Sequence, residues 1–405
     1  MTIDQQLEQL RRGTLEIISE ADLAEKLKKG TPLRIKLGVD PTVAHVTLGW
    51  AVVLRKLRDF QRLGHKACLI IGDFTAMIGD PSGKSKTRPQ LSREEVQANV
   101  AAVSKQVYKI LDPGKTEIYF NGDWLGKMTF EDVIRLTSKY TVARIMERDD
   151  FTKRWNENRP ISMHEILYPL CQGYDSVAIE SDVELGGNDQ KFNNLVGRNL
   201  QEHFGQEPQV VMLSPLLIGT DGKEKMSQSL GNFVSIVDTP NDMYGKTMSI
   251  PDDLMENWFV LCTDVPMAEV AQIVADCKSG AMNPRDAKRR LAKEIVGLYH
   301  SVEAASEADD YFIQTFSKRE QPVEAEPAAI PASVVVDGLV AMPALIATLG
   351  LAKSNGNARD LMSAGAVSLD GEKVTDPVQK LGVDALVGKV LRVGKHQFRQ
   401  LTEPE

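Results

Sequence analysis

The feature that most constrains the fold is a strand, a helix and a second strand in direct succession near the N-terminus. Residues 33–39 alternate in polarity before an Asp-Pro-Thr breaker, and residues 48–63 carry apolar side chains at helical spacing. Residues 67–71 are almost wholly apolar, which is typical of a parallel strand buried on both faces. This βαβ succession predicts a parallel sheet whose ligands bind in the loops that follow the strands, at residues 38–49 and 72–88.

The composition is that of an ordinary globular protein with room for two or three domains. Its 405 residues are 42% hydrophobic and 26% charged, and no apolar run approaches the roughly 18 to 20 residues that span a bilayer. The polar N-terminus lacks the apolar segment of a secretory signal. Cys68, Cys171, Cys262 and Cys277 have no paired spacing that suggests zinc or a redox motif. We therefore expect a cytoplasmic protein with no membrane attachment and no bound metal, and the net charge of −8 argues against nonspecific coating of nucleic acid.

Beyond the first strands, the sequence divides into regions of different pattern. We expect residues 1–232 to form the sheet domain, with a charged helical insertion at 121–165. Helical patterns fill residues 233–316, and a Pro/Glu/Ala-rich stretch without periodicity at 317–337 is interpreted as a linker. Residues 338–405 combine a helical part with short apolar strands, which predicts a small α/β domain.

The first glycine-containing segment follows the first predicted strand and leads into the helix. It comprises Gly38-Val39-Asp40-Pro41-Thr42 and, at the helix start, Thr47-Leu48-Gly49-Trp50. Glycines at a strand end and in the first helical turn let a phosphate chain approach backbone N–H groups and the positive end of the helix dipole. A plain strand-to-helix turn explains this segment equally well.

The second segment, at residues 72–85, invites comparison with the phosphate-binding P-loop. Gly79 and Gly83 enclose three residues where the P-loop requires four, which argues against that motif. The nearby cations Lys84, Lys86 and Arg88 can either bind a polyphosphate or form a solvated basic loop.

Two further segments carry polar side chains suited to a ligand. A helix through residues 168–175 places Tyr168, Gln172 and Asp175 on one face, and a Gly-Gly-Asn-Asp-Gln turn follows at 186–190. A glycine-rich turn at 219–229 combines lysines and hydroxyls that can grip phosphates through a moving loop. Each also has a purely structural interpretation, as a helix with satisfied polar residues or as a surface hairpin.

In their order and spacing, the four segments together resemble the tyrosyl-tRNA synthetases, and the resemblance covers essentially the whole chain. The Tyr-x-x-x-Gln-x-x-Asp helix and the Gly-Gly-x-Asp-Gln turn match the family's tyrosine-pocket motifs. Residues 283–290 look like the helical anticodon-binding region, and residues 352–374 look like the S4 RNA-binding module. The related tryptophan enzymes lack this C-terminal module, which favours tyrosine as the substrate.

The resemblance implies an α/β fold with a Rossmann-type parallel-sheet catalytic domain, a helical anticodon-binding domain and a small S4-like domain. It implies that tyrosine is activated with ATP and then transferred to tRNA(Tyr), by a homodimer formed through residues 121–165. Mg²⁺ accompanies the ATP, and no tightly bound cofactor is expected. The implied tyrosine-binding residues are Lys36, Thr75, Asp80, Tyr168, Gln172, Asp175 and Gln190. The implied ATP-binding residues are Gly38, Asp40, Gly49, Gly187, Asp189, Met226 and Ser227. The implied catalytic residues are Thr42, Thr47, Trp50, Lys84, Arg88, Lys225 and Gln228.

The chain departs from the family pattern at the phosphate-binding motifs. The family has His-x-Gly-His where this chain has Thr47 and Trp50, and Lys-Met-Ser-Lys-Ser where it has Gln228. Lys36 stands where many relatives have a tyrosine that contacts the substrate phenol. Two alternatives follow from these departures. The chain is a synthetase with a variant phosphate site, or it is a paralogue with altered or lost adenylation chemistry that binds RNA or ligates tyrosine to another acceptor.

Overall fold

The computed structural model describes residues 1–39, 45–80, 95, 99, 103, 105–317, 325–394 and 397–405. They form two compact units, Met1–Ala305 and Ser306–Glu405. The first unit contains the sheet expected from the N-terminal βαβ pattern, and the second contains the small C-terminal α/β structure.

A six-stranded sheet forms the centre of the first unit. Its strands are β1 (Glu16–Ile18), β2 (Arg34–Val39), β3 (Lys66–Ile71), β4 (Thr116–Phe120), β5 (Val183–Gly187) and β6 (Val210–Ser214). Their spatial order is β1-β6-β5-β2-β3-β4. Only β1 runs antiparallel to its neighbour among these strands, so the predicted parallel sheet is confirmed. All residues of β3 after Lys66 are buried, as its apolar sequence indicated.

The order of the strands reverses direction between β2 and β5. From β2 the chain proceeds through β3 and β4 on one side, and it then returns to place β5 and β6 on the other side. In open parallel sheets, such a reversal leaves a crevice beyond the carboxyl ends of the two strands, where ligands bind. Here those ends are Val39 and Gly187, which belong to two of the segments that the sequence singled out.

The described residues of the first unit form fifteen α-helices of four or more residues, the last of which continues into the second unit. They are α1 (Ile3–Arg11), α2 (Glu20–Lys28), α3 (Leu48–Arg62), α4 (Thr75–Ile78), α5 (Gly122–Leu125), α6 (Phe130–Thr137), α7 (Val142–Ile145), α8 (Asp149–Asn156), α9 (Met163–Ala178), α10 (Lys191–His203), α11 (Pro240–Met248), α12 (Met255–Cys262), α13 (Met267–Ser279), α14 (Pro284–Tyr299) and α15 (Val302–Phe312). Helix α3 packs against β2, β3 and β5, and α9 packs along α10. Residues 122–156 are largely helical, as the sequence predicted.

The predicted sheet domain, 1–232, and most of the predicted helical domain, 233–316, lie within one compact unit that ends at Ala305. The two regions pack against each other, since α12 of the helical region contacts α3 of the sheet region. Arg55 on α3 also forms an ion pair of 2.6 Å with Asp264, just after α12. The expected division at residue 232 therefore marks a change from sheet to helices, and the two parts share a packed interface.

Beyond the end of α15, the described residues of the second unit form two small sheets and three short α-helices. Its strands are β7 (Glu326–Ala329), β8 (Val335–Val336), β9 (Leu339–Ala341), β10 (Val367–Leu369), β11 (Glu372–Lys373), β12 (Lys380–Gly382), β13 (Val390–Val393) and β14 (Gln397–Thr402). Its helices are α16 (Met342–Thr348), α17 (Asn355–Ser363) and α18 (Val383–Leu386). The sheets have the orders β11-β10-β13-β14-β7 and β12-β9-β8. Apolar residues such as Leu345, Met362 and Leu391 form the buried core.

The second unit begins earlier than the sequence indicated, at Ser306, and two of its strands, β7 and β8, lie within the predicted linker, 317–337. Strand β7 pairs in parallel with β14, and β8 pairs with β9. The composition concealed β7 because Pro327 cannot donate a ladder hydrogen bond. An edge strand tolerates proline at such a position, and β7 lies at the edge of its sheet.

Candidate active site

The most deeply buried acidic group at the predicted site is Asp175, in the last turns of α9. Its residue is 3% exposed, and both carboxylate oxygens accept side-chain hydrogen bonds. Trp124 Nε1 donates to Oδ1 at 2.8 Å, and Asn121 Nδ2 donates to Oδ2 at 3.2 Å. These two donors fix the orientation of the carboxylate.

Burial raises the pKa of Asp175 to about 7, against the opposing effects of Lys36, Trp124 and Asn121, which favour the charged form. Removing a carboxylate from water disfavours its ionised state, while a nearby cation and hydrogen-bond donors favour it. The protein thus holds this carboxyl group near the point where it changes charge at neutral pH. A perturbed group of this kind at a sheet crevice is typical of a ligand site.

Asn121 connects Asp175 to the segment after β3. Its Nδ2 also donates to Thr75 Oγ1 at 3.1 Å, and its Oδ1 accepts from the Phe74 backbone N–H at 3.0 Å. Asn121 directly follows β4, so it lies at the carboxyl edge of the same sheet. The sequence interpretation missed both Asn121 and Trp124. Their position immediately after a strand was the signal that could have revealed them.

Lys36 is fully buried on β2 and is held by three acceptors. Its Nζ lies 2.9 Å from Glu184 Oε1, and it donates to Ser176 Oγ at 2.7 Å and to the Gln172 carbonyl oxygen at 2.9 Å. An ammonium group has three protons, so each can be assigned to one of these acceptors. Direct binding of tyrosine by Lys36 stays a prediction. The positive charge of Lys36 favours the ionised form of the Asp175 carboxyl group and so lowers its pKa.

A second polar network lies around the Gly-Gly-Asn-Asp-Gln turn. Gln190 Nε2 donates to Asp80 Oδ2 at 2.9 Å, and Gln190 Oε1 accepts from Asn193 Nδ2 at 3.0 Å. Arg148 extends the network by donating to Asn193 Oδ1 at 3.0 Å. The structure therefore brings Asp80 and Gln190 together, although they are far apart in the sequence.

Two further predicted tyrosine-binding residues, Tyr168 and Gln172, lie on the same helix as Asp175, α9. Tyr168 is buried, and the side-chain amides of Gln172 and Asn194 lie 3.2 Å apart. Asn194 belongs to α10, the helix that packs along α9. The sharing of one helix face by Tyr168, Gln172 and Asp175 stays a prediction.

The beginning of α3 is built around backbone groups and small side chains. Thr47 is the N-cap of α3, and its hydroxyl accepts from the Trp50 backbone N–H at 3.4 Å. Trp50 is half-buried in the first turn. A side chain at Gly38 would meet open space, whereas a Cβ at Gly187 would lie 2.8 Å from Asp189 Oδ1. The crevice is therefore open above β2 and tightly built at the end of β5.

The residues 225–228 fold back onto this helix start and onto the turn after β5. Lys225 Nζ forms an ion pair of 2.9 Å with Asp189 Oδ2. The Gly49 backbone N–H donates to Met226 Sδ at 3.3 Å, and Gln228 Nε2 donates to the His45 carbonyl oxygen at 2.5 Å. The backbone N–H of Ser227 donates to Asn232 Oδ1 at 2.8 Å. The structure thus joins the first and fourth sequence segments. Asp40, Thr42, Lys84 and Arg88 lie outside the described residues.

The described residues contain no group of three or more His, Cys, Asp or Glu side chains that could hold a metal ion. All four cysteines are free thiols. Within the described part of the chain, no helix is both long enough and apolar enough to cross a bilayer.

Comparison with known families gives two matches along the chain. The family model described as tRNA synthetases class I (W and Y) matches residues 28–317, and the S4 domain model matches residues 343–387. The chain is 52% identical over 403 residues to a tyrosine–tRNA ligase of Moorella thermoacetica, with 98% of this chain and 96% of that protein covered. It is 50% identical over 406 residues to a tyrosine–tRNA ligase of Thermotoga maritima, with 100% and 99% covered.

Solved structures show the same fold at lower sequence similarity. The tyrosyl-tRNA synthetase of Archaeoglobus fulgidus, in complex with L-tyrosine, has a TM-score of 0.63 at 22% identity, with 76% of this chain and 100% of that chain covered. A truncated mitochondrial tyrosyl-tRNA synthetase of Aspergillus nidulans has a TM-score of 0.64 at 21% identity, with 78% and 94% covered. At this level of identity, the likeness concerns the fold alone.

Proposed function

Because the chain belongs to the tyrosine–tRNA ligases of the class I tRNA synthetases, we propose that the crevice between β2 and β5 binds tyrosine and ATP side by side, with Asp175 selecting tyrosine. The chain activates tyrosine with ATP and transfers the tyrosyl group to tRNA. The observation that carries the site assignment is the buried Asp175 carboxylate, which Trp124 and Asn121 hold in place.

In this proposal, Asp175 accepts the phenolic O–H of tyrosine. Each Asp175 oxygen has a further lone pair beyond the one used by its described donor, so the carboxylate can accept one more hydrogen bond. Phenylalanine would leave this buried acceptor without that bond. Such a penalty discriminates by roughly 10⁴ to 10⁵, a range for which tyrosyl-tRNA synthetase is itself the reference case.

The amino and carboxylate ends of tyrosine are assigned to the network after β3 and β5. Thr75, Asp80, Tyr168 and Gln172 would hold the ammonium group, and Gln190 would lie near the carboxylate. The hydrogen bond between Gln190 and Asp80 supports this placement, because it puts an acid for the ammonium beside an amide for the carboxylate. Lys36 acts through its field on Asp175, since its protons are engaged by Glu184, Ser176 and the Gln172 carbonyl.

ATP is assigned to the start of α3 and the turn after β5. Gly38, Gly49 and Gly187 would let the nucleotide approach the backbone, with Asp40 near it and Asp189 near the ribose. Met226 and Ser227 would cover the nucleotide, and Thr42, Lys84, Arg88 and Lys225 would face its phosphates. Thr47, Trp50 and Gln228 occupy the family's catalytic positions. Mg²⁺ enters with ATP as part of the nucleotide substrate, since this ion is usually held by substrate phosphates.

The proposed chemistry needs no covalent bond to the protein. A tyrosine carboxylate oxygen attacks the α-phosphorus of ATP, and the bond from that phosphorus to pyrophosphate breaks. A terminal ribose hydroxyl of tRNA then attacks the tyrosyl carbonyl carbon, the bond from that carbon to the AMP phosphate oxygen breaks, and the hydroxyl proton passes to the phosphate of the leaving AMP. The protein contributes by positioning the reactants and by stabilising charge on the phosphates.

We assign tRNA(Tyr) binding to the predicted helical domain, 233–316, and to the S4-like domain, 338–405. Helix α14 carries Arg285, Arg289, Arg290 and Lys293 along its length. In the S4-like domain, Lys353, Arg359, Lys373 and Lys380 are exposed. Exposed cations of this kind contact the phosphates of a folded RNA, whose shape supplies specificity.

A homodimer formed through residues 121–165 is supported by the exposed apolar side chains of this region. Phe130 is 80% exposed, Trp155 is 69% exposed and Met163 is 75% exposed, and Ile134 and Val142 are also exposed. A cluster of large apolar side chains on a surface is typical of a protein–protein interface. We also assign the chain to the cytoplasm, in keeping with its four free thiols.

The alternative of altered or lost adenylation rests on Thr47, Trp50 and Gln228. The side chains of Thr47 and Gln228 make hydrogen bonds within the protein, as a helix cap and as a donor to the His45 carbonyl oxygen. Charging of tRNA with labelled tyrosine by the full-length chain tests the proposed function. Formation of tyrosyl-tRNA supports it, whereas tRNA binding without charging would favour the alternative.

A further inference from the structure

A cavity of about 680 Å³ lies apart from the crevice, where the N-terminal helix meets the helical region. Its walls come from α1, from the later turns of α3 and from the segment that joins α12 to α13. Helix α3 begins at the crevice with its N-cap Thr47, whereas the cavity is lined by residues between Val52 and Arg62 of the same helix. The volume lies within the range of roughly 300 to 1,000 Å³ that is typical of pockets for small molecules.

Arg12, the residue after α1, lines this cavity and donates only to neutral groups. Its Nε donates to the Val260 carbonyl oxygen at 3.3 Å, and its Nη2 donates to those of Phe259 at 3.3 Å and Thr263 at 2.8 Å. These carbonyl groups end α12, where a helix leaves its acceptors without intrahelical partners. Among the described residues, Arg12 has no ion pair, and its Nη1 group makes no hydrogen bond. Two guanidinium protons therefore remain available to a ligand.

Lys56 on α3 lines the cavity beside Arg12 and is 5% exposed. Its Nζ donates to the Leu10 carbonyl oxygen at 2.8 Å and to the Arg12 carbonyl oxygen at 2.5 Å. An ammonium group has three protons, and the part of the chain that the structure describes supplies no acceptor for the third and no ion pair. Burial lowers the pKa of Lys56 to about 8, against the attraction of Asp59. The cavity wall thus carries two adjacent cations that no described carboxylate contacts.

The carboxylates that line the cavity are neutralised by other arginines or by solvent. Asp264 forms ion pairs with Arg55 at 2.6 Å and with Arg58 at 2.7 Å. Burial would raise the pKa of Asp264, but these arginines outweigh it and lower that pKa to about 2. Asp59 lies 3.5 Å from Arg58, and Glu8 is exposed. The positive charges of Arg12 and Lys56 are therefore the ones left for an anionic ligand.

We propose that this cavity binds a small organic phosphate monoester, with the phosphate group at Arg12 and Lys56 and the organic part against the apolar wall. The site shares no lining residue with the crevice, so it does not depend on the function proposed there. Val52, Leu261 and Met267 supply the apolar wall.

Charge and size together favour a phosphate monoester over other anions. A monoester carries about 1.5 to 2 negative charges at neutral pH, which matches two cations, whereas a carboxylate carries one. Guanidinium and ammonium groups form charge-assisted hydrogen bonds with phosphate oxygens, and three N–H groups of Arg12 and Lys56 are available for them. Inorganic phosphate would fill only a small part of the cavity and would leave the apolar wall uncovered.

The test follows two methionine methyl resonances of the full-length protein by NMR during titration with n-butyl phosphate. Met267 lines the cavity and is 46% exposed, whereas Met226 contacts Gly49 at the crevice. The two resonances therefore report on the two sites separately. The titration is run at a pH of about 7.5, where the monoester is mostly doubly charged. Pentanoate, a carboxylate of similar length, and inorganic phosphate are titrated in parallel.

Two variants change the cavity by different means. Arg12→Gln removes the guanidinium group and keeps an amide donor. Because Arg12 also caps α12, the second variant leaves every cation in place: Ala268→Trp adds an indole at an exposed position of the cavity wall. Ala275→Trp makes the same change at an exposed position of α13 outside the cavity lining, and it serves as the matched control.

We expect n-butyl phosphate to shift the Met267 resonance saturably and to leave Met226 unchanged. Arg12→Gln should weaken the affinity by about 10- to 150-fold, because hydrogen bonds to a charged group are lost. Ala268→Trp should also weaken it, and Ala275→Trp should bind like the wild type. Pentanoate and inorganic phosphate should both bind more weakly than n-butyl phosphate.

The absence of a saturable Met267 shift, or wild-type affinity in both cavity variants, would overturn the site. A shift of Met226 alone would place the phosphate in the crevice and would equally contradict a separate site. Pentanoate binding as tightly as n-butyl phosphate would refute the choice of phosphate. Equal affinity for inorganic phosphate would refute the role of the apolar wall.

Discussion

The indole N–H of Trp124 donates a hydrogen bond of 2.8 Å to the buried carboxylate of Asp175. Trp124 lies in α5, in the first turn after the edge strand β4, whereas Asp175 lies near the end of α9. The bond therefore joins two elements that are about fifty residues apart in the chain. In the proposed function, this contact sets the direction and the charge of the group that selects tyrosine.

We predict that tyrosine activation weakens as the pH falls below about 7. Burial raises the pKa of Asp175 to about 7, so the carboxylate that accepts the phenol becomes protonated on the acid side. The expected kcat/KM for tyrosine falls up to about tenfold per pH unit below that value. The measurement is pyrophosphate exchange across pH 5.5 to 8.5, a window of about 1.5 units on either side of the titration. The kcat/KM for ATP at saturating tyrosine serves as the control, because Asp175 is then occupied.

The same pKa gives a sign for stability. The folded protein binds the Asp175 proton more tightly than the unfolded chain, where the ordinary pKa is 3.8. The contribution of this group to the free energy of unfolding therefore decreases as the pH rises from about 4 to about 7, and it is lowest above pH 7. A pH profile of tyrosine activation with no acid limb near 7 would contradict the assignment.

We predict that Trp124→Phe weakens tyrosine use without abolishing folding. The change keeps an aromatic ring and removes the donor to Asp175. A hydrogen bond to a charged group contributes about 1.5 to 3 kcal/mol, so kcat/KM for tyrosine at neutral pH should fall roughly 10- to 150-fold. The acid limb should also move to higher pH, because the carboxylate loses a donor that favours its charged form.

Asp175→Ala is the companion variant, and it should remove the preference for tyrosine over phenylalanine. Both variants are compared in the exchange assay with each amino acid. Unchanged discrimination in Asp175→Ala would show that another group recognises the phenol.

We predict that Lys36→Met destabilises the protein because it leaves Glu184 as a buried charge without its cation. Both side chains are at most 1% exposed, and breaking a buried pair typically costs about 3 to 5 kcal/mol. Adding Glu184→Gln should recover part of that loss, since no charge is then left unpaired. Urea unfolding gives the free energy of unfolding of the wild type, of Lys36→Met and of the double variant. Lys28→Met, which removes an exposed partner of Glu25, should leave the unfolding midpoint unchanged. A wild-type midpoint for Lys36→Met would disprove the structural role of this pair.

We predict that the full-length chain has twice the monomer mass of 44.7 kDa in solution. Phe130→Glu should convert it to the monomer, because a charge replaces an apolar side chain that is 80% exposed in the single chain. Val378→Glu changes an apolar residue that is 75% exposed in the second unit, and it should leave the mass unchanged. Light scattering after size-exclusion chromatography measures the mass. A monomeric wild type would contradict dimerisation through residues 121–165.

The local part of this architecture could be predicted from sequence because its signals are local. The alternating strand, the amphipathic helix and the apolar run before Gly72 specified the βαβ unit. The spacing of Tyr168, Gln172 and Asp175 specified one face of a helix. These inferences need only the geometry of a single element or of its immediate successor.

The parts that could not be predicted depend on pairing between distant segments. Lys36 and Glu184 are neighbours because β2 and β5 pair in parallel with those two residues in register. The contacts of Trp124 and Asn121 with Asp175 depend on how β4 and α9 are placed around the sheet. Strand β7 escaped notice because an edge strand can contain proline, so its composition resembled that of a linker.

The most direct test of the central claim is pyrophosphate exchange into ATP by the full-length chain, with tyrosine, phenylalanine and tryptophan offered separately. The account predicts exchange that depends on tyrosine and is negligible with the other two, because only tyrosine carries the phenol that Asp175 accepts. No exchange with tyrosine, or equal exchange with phenylalanine, would contradict it.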